Sequence, residues 1–275
     1  MVQRLSCGMR TPTTAVELTA LLLVAWAAFV SIPLALGGIG LSWDALNHHV
    51  YLGWIADHPR WDRDFLAASY QAFQYPYLYW PFFKLFQSGI SGQWAGVVLV
   101  SLNVLAIPPL WLLARVCVPE RSWYGAAMRW LAVALAFMSG AVLSLFDSTS
   151  NDLMAAIPLV WAVALAVEPL SAQRPARLPL RRLVLLSGFC AGAAVAFKLS
   201  NGPLAVLMPL LWGIPGASFR QRIANIVLGS IATLVGFLLL YGYWGWQLWS
   251  HFGNPLYPFC DPWFAPLRAW AGWQP

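Results

Sequence analysis

Residues 15–41 read AVELTALLLVAWAAFVSIPLALGGIGL, and just beyond them, in Trp43-Asp44-Ala45-Leu46-Asn47-His48-His49, comes the first carboxylate of a polar segment. The run exceeds the roughly 20 apolar residues that cross about 30 Å of hydrocarbon. Ala35-Leu36-Gly37 loosely matches a small-x-small cleavage site, but the run is too long for the apolar part of a secretory leader, so it reads as an anchor. A carboxylate followed by two histidines at the end of an anchor stands where water, headgroups and lipid-borne molecules meet.

The rest of the chain repeats this theme. Further apolar runs occupy 93–114, 126–146, 153–168, 183–198, 203–217 and 223–245. Hydrophobic residues make up 60% of the 275 and charged ones 9%, too few charges to solvate a soluble globule of this size. Many of the 17 tryptophans fall near run ends, where aromatic belts sit at headgroup depth. The expected fold is all-α and polytopic. It is one module over 1–275 with about seven transmembrane helices, a long first outer loop (42–92) holding interfacial helices, and a C-terminal outer segment (246–275).

Charge orients the chain. With the N-terminus in the cytoplasm, Arg4, Arg10, Arg115, Arg121, Arg129, Arg174, Arg177, Arg181, Arg182, Arg220 and Arg222 lie inside, and the C-terminus lies outside. Arg60, Arg63, Lys84, Lys198 and Arg268 lie outside, and eleven against five is the asymmetry of the positive-inside rule. Every aspartate then falls in an outer loop. The net charge of +6 is therefore a topology signal and does not point to nucleic acid. The two short runs between Leu183 and Ala217 read as a hairpin, because merging them would turn Arg220 and Arg222 outward. Lys198, Ser200, Asn201, Gly202 and Pro203 form its outer turn, and an ammonium there requires an anionic partner.

Several signals are missing. Cys7 and Cys117 fall on the inner side, Cys190 within a span and Cys260 outside, so no pair shares an oxidising compartment and no intramolecular disulfide is expected. There is no CxxC, P-loop or GxSxG element, and no internal repeat of the kind transporters often carry. The first outer loop runs through Asp57-His58-Pro59-Arg60-Trp61-Asp62-Arg63-Asp64 into a stretch dense in Tyr, Phe and Trp up to Phe86. That pattern suits helices lying in the interface, with Lys84 reaching toward phosphates. The Gly and Pro content after Trp246 argues for a folded loop rather than an eighth span.

Four stretches, in order, resemble the GT-C glycosyltransferases, the membrane enzymes related to protein O-mannosyltransferases and aminoarabinose transferases. Trp43-Asp44-Ala45-Leu46 with His48 or His49 resembles the opening of the family's first outer loop. Ser150-Asn151-Asp152-Leu153 is similar to the acidic turn that opens the fourth span. Gly188 to Ser200, ending in Phe197-Lys198, resembles a Gly-rich span that ends in lysine, and Gly253-Asn254-Pro255-Leu256-Tyr257-Pro258 an outer-loop motif of bacterial members. The resemblance implies an enzyme of the bacterial inner membrane. It would take a sugar from a polyprenyl phosphate and place it on a lipid, glycan or protein acceptor at the outer face, with membrane lipids around it. The chain stops just after the seventh run, whereas many members continue, so what is present corresponds to the family's core.

The chemistry can be argued from the residues. A sugar phosphodiester already has a good leaving group, so the site needs a base for the acceptor proton and cations for the departing phosphate. Asp44 is the expected base, a role worth about 10² to 10⁴ in rate. Lys198, with Lys84 or Arg63, would stabilise the growing phosphate charge. Asp152 would orient the acceptor or tune Asp44, and His48, His49 and Asn254 complete the candidate substrate contacts. No cofactor and no metal site is expected, although a divalent ion is compatible with the chemistry.

Each residue has a plainer reading. Asp44 and Asp152 are also good N-caps, Asp147 would then only solvate its loop, and Lys198 would only snorkel from a short span. His48 shares a face with Asp44 if that stretch is helical. His58 and His251 read as interface residues. The competing functions are a transporter or lipid flippase, which would carry its polar groups near mid-membrane, and a non-catalytic assembly subunit, which would need no convergent site.

Overall fold

The computed structural model describes residues 13–61, 63–64, 69–171 and 178–273, and within them all regular structure is helical. Arg4, Cys7, Arg10, Asp62, Arg174 and Arg177, used above, lie outside the described residues. α1 (Thr14–Leu36) is followed by a π-helical turn at Ala45–His49, α2 (Val50–Ile55) and α3 (Trp80–Gln87). Next come α4 (Gly92–Leu102), α5 (Ile107–Cys117), α6 (Trp123–Phe137), α7 (Gly140–Ser144) and α8 (Asp152–Val167). The chain continues through α9 (Leu180–Phe197), α10 (Gly202–Gly213), α11 (Phe219–Phe252) and α12 (Asp261–Trp270).

Each of the seven apolar runs is mainly helical, and among the described residues five segments are long and apolar enough to cross a membrane: Thr14–Leu36, Gly92–Cys117, Asp152–Leu170, Leu180–Phe197 and Phe219–Phe252. Leu23, Leu210, Leu234 and Leu239 each leave more than half of their surface uncovered, which only a hydrocarbon solvent makes tolerable. The chain is built as a membrane protein. Two runs fall short of a full span. The run at 126–146 is interrupted where Ser139 leaves the helix and caps a new one, accepting from the Val142 N–H at 3.2 Å. α10 has 12 residues, about 18 Å at 1.5 Å per residue.

The C-terminal loop starts later than Trp246. Nothing between Trp246 and Phe252 interrupts the helix, so α11 runs on until Gly253 adopts φ 60° and its N–H closes on the Trp249 carbonyl. Between α4 and α5 the chain tightens into a 3-10 turn at Asn103–Ala106, just before Pro108 and Pro109, which have no N–H to continue the ladder.

Helix packing rests on small residues and a few buried polar ties. α9 and α11 pack most extensively, and a Cβ at Gly192 would collide with the Thr233 carbonyl while one at Gly188 would strike Gly229. The glycines of this span are therefore there for close backbone approach. Ser187 donates to the Ala162 carbonyl at 2.7 Å and accepts from Trp212 Nε1 at 2.9 Å, joining α8, α9 and α10. At the start of α1, Glu17 receives Arg129 through Nε (2.6 Å) and Nη2 (2.7 Å), together with Trp111 Nε1 (2.9 Å). Arg129 Nη1 adds bonds to the Val118 and Glu120 carbonyls, so this buried pair fastens α1, α5 and α6 together. Arg129, counted above as an inner-loop charge, is an interior side chain.

Removing one partner of this pair strands the other. Glu17→Ala or Arg129→Ala should cost about 3–5 kcal/mol, while Glu17→Leu combined with Arg129→Met should recover most of it. Unfolding midpoints in detergent, compared with wild type, check this. Gly192→Val should separate α9 from α11 and cost about 3 kcal/mol or more, read in the same assay.

Candidate functional site

The candidate site lies at the loop end of the bundle, where α1 and α9 finish and α4, α8 and α10 begin. It is assembled from three distant segments. After α1, Gly37 takes the left-handed conformation (φ 81°) and turns the chain across the bundle end. The segment is then pinned from below, as the Gly40 N–H donates to Asp147 Oδ1 at 2.6 Å. Asp147 is thus a tie between the first loop and the turn that opens α8, beyond the solvating role assigned to it.

Ser42, not Asp44, caps the following turn, its Oγ accepting from the Ala45 N–H at 3.1 Å. The Asp44 side chain makes no capping bond and stays half exposed. The turn is π-helical, closed by the Val50 N–H on the Ala45 carbonyl, and both His48 and His49 point inward from it. Their rings meet edge-on at 4.4 Å, and His49 stacks on Tyr79 at 4.8 Å. His49 Nδ1 pairs with Thr149 Oγ1 at 2.6 Å, again joining the first loop to the turn before α8. His48 Nδ1 lies 3.8 Å from Asp44 Oδ1 and has no hydrogen-bond partner although it is buried.

The turn before α8 and the end of α9 supply the rest. Asp152 accepts from Ser150 Oγ at 2.6 Å and from Lys198 Nζ, so its carboxylate is engaged across the bundle rather than capping its own helix. The Lys198 ammonium thereby has the anionic partner its position demands. Asn201, in the 3-10 turn after Lys198, reaches the Ala155 and Ala194 carbonyls at 3.2 and 2.9 Å and holds the two segments together. Beside them Asn151 buries an Oδ1 without a partner. Asp44, Asp152 and Lys198 are 50, 45 and 28% exposed and so open to solvent, whereas His48 is 3% exposed.

These groups feel one another's charges. Burial, followed by the charges of His48 and Lys198 and against Asp152, lowers His49 to about 3. Burial lowers His48 as well, with Asp44 opposing and Lys198 assisting. Burial raises the Tyr79 hydroxyl, and Asp152 and Asp44 raise it further. Asp44, His48, His49, Tyr79, Asp152 and Lys198 therefore share one field.

The other candidates stand apart. Lys84 on α3 pairs with Asp57 at 2.7 Å, and Asp57 also accepts from Trp80 Nε1 at 2.8 Å. Asn254 is fully buried and spent within its own loop: Nδ2 bonds the Phe259 carbonyl and Asp261, and Oδ1 accepts from the Leu256 N–H. Arg63 is exposed in the loop before Asp64. His58 stacks on Trp54 at 5.1 Å and His251 meets Trp61 at 4.7 Å, both as parts of aromatic packing. Tyr79, Thr149 and Asn151 join the candidate site; the sequence marked Tyr79 only as part of the aromatic stretch and Asn151 only as part of the acidic turn, and Thr149 not at all. No group of three or more His, Cys, Asp or Glu suited to hold a metal occurs among the described residues. A cavity of about 1170 Å³ lies at the opposite end of α1, and none of the candidate residues lines it.

Comparison with known proteins adds no relative. The chain matches no family model, no curated protein and no solved structure.

The neutral histidine pair gives stability a pH signature. The unfolded chain protonates these imidazoles near about 6.5 and the folded one resists, so their contribution is complete above that value and is lost as pH falls toward the folded value of about 3. Unfolding midpoints should fall between about pH 7 and 5, and His49→Gln should flatten that slope. An unchanged slope in the variant would remove His49 as its source.

Proposed function

We propose that this protein is a GT-C-like glycosyltransferase that moves a sugar from a polyprenyl phosphate to a lipid, glycan or protein acceptor at the outer face of the membrane. The supporting observation is that the exposed Asp44, beside His48, and the exposed Lys198–Asp152 pair come from three separate segments and flank the same two buried histidines. An assembly subunit has no need of such convergence. A transporter would hold its polar groups in mid-span, and here they stand at helix ends.

In this reading the N-terminus is cytoplasmic, α6–α7 and α10 complete seven crossings in the bacterial inner membrane, and the loop end faces outward. The acceptor hydroxyl lies against the exposed Asp44, which the buried His48 backs from inside the bundle. Its oxygen attacks the anomeric carbon and the carbon–oxygen bond to phosphate breaks. The proton passes to Asp44 and the bonding electrons leave with the polyprenyl phosphate. Lys198, steered by Asp152, takes up the charge on the departing phosphate. Asp152 positions the lysine and does not act as a second base.

The test is sugar transfer in membranes supplied with a labelled polyprenyl phosphate sugar. Asp44→Asn should lower the rate about 10²-fold or more at equal protein level, and Lys198→Met should slow it through the leaving group. Equal transfer by wild type and Asp44→Asn would exclude Asp44 as base, and absence of transfer in wild type across sugar carriers would exclude the activity.

A further inference from the structure

The cavity of about 1170 Å³ at the far end of the bundle belongs to no part of the transfer site. It opens where α1 and α6 begin and α5 and α8 end. Its wall changes along the helix axes. Leu18, Leu22, Pro108, Leu112 and Trp161 line the part deeper in the bundle, whereas Thr13, Glu120, Arg121, Ser122 and Glu168 line the part at the helix termini. An apolar depth under a charged mouth, in a membrane protein, is the profile of a lipid seen along its length.

Charge narrows the class. At the back of the cavity Glu17 and Arg129 satisfy each other, so neither is offered to a ligand. Arg115 lies over the Trp111 ring at 4.5 Å on one wall. Among the described residues the mouth carries both signs, with Arg121 and Glu120 exposed and Glu168 half-buried on the last turn after α8. A purely anionic headgroup would meet Glu120 and Glu168 as like charges, whereas a headgroup with both a phosphate and an ammonium finds a counter-charge for each.

We propose that this cavity takes one zwitterionic glycerophospholipid of the adjacent leaflet. Its phosphate sits beside Arg121, its ammonium beside Glu120 and Glu168, and its chains lie against Leu18, Leu22 and Trp161. The bound lipid seals the junction of α1, α5, α6 and α8 around the Glu17–Arg129 pair and stabilises the fold by mass action. The site stands independently of the transfer reaction at the other end.

The experiment uses the full chain purified in mild detergent, with bound lipid read by native mass spectrometry and stability by thermal unfolding. Phosphatidylethanolamine should be retained at one copy and raise the unfolding midpoint, phosphatidylglycerol should do so less, and inorganic phosphate not at all. Arg121→Gln should retain about fivefold less. Val116→Trp, which fills the cavity without changing charge, should abolish retention, with circular dichroism verifying that both variants fold. A midpoint raised by phosphate alone would make this a soluble-anion site. Equal or stronger retention of phosphatidylglycerol, or undiminished retention in both variants, would overturn the proposal.

Discussion

The ion pair between Lys198 and Asp152 is the constraint around which the loop end is organised. Lys198 terminates an apolar helix, and an unpaired ammonium at such a place is costly. Its demand for a carboxylate brings the end of α9 against the start of α8, and Ser150 and Asn201 lock the arrangement with bonds of their own. Once those two ends are fixed, Thr149 and Asp147 stand where they can receive His49 and Gly40 from the first loop. The Gly40 and His49 ties stand on either side of Asp44 and hold its turn at the same end of the bundle.

The two ends of the bundle treat polar groups differently. At the start of α1 the Glu17–Arg129–Trp111 network answers both carboxylate oxygens, which is how a structural tie is built. The loop end leaves His48 Nδ1 and Asn151 Oδ1 buried and unpaired beside exposed charges. Native interiors seldom leave such atoms unmet, and when they do a ligand or ordered water is the usual answer. That contrast, more than the presence of acidic residues, makes the loop end the candidate site and the start of α1 a brace.

The sequence disclosed the helices well and the pairings unevenly. Apolar length alone located all seven helical runs, and the charge argument that split Leu183–Ala217 into a hairpin matches α9 and α10 with Lys198 at the turn. The need of Lys198 for an anion was legible because a lone ammonium at a helix end has few alternatives. Which anion it takes was not, since Asp152 is 46 residues away. Arg129 misled because a sequence shows a basic residue near a run end and cannot show a glutamate 112 residues earlier folded against it. The break at Ser139 was hidden inside a continuous apolar run, because a capping serine is indistinguishable there from a tolerated one. Asn254 and Lys84 looked available only because their partners, Phe259, Asp261 and Asp57, are fixed by local folding.

The central claim, that Asp44 and Lys198 share one patch, is tested most directly by cross-linking in native membranes. Cysteines placed at position 44 and at position 200, beside Lys198 so that its ion pair is kept, in a chain whose own cysteines are replaced by serine or alanine, would be treated with a short bifunctional maleimide and digested for mass spectrometry. The account predicts a linked pair of peptides joining the two positions. Modification of each cysteine singly, with no link between them, would contradict it.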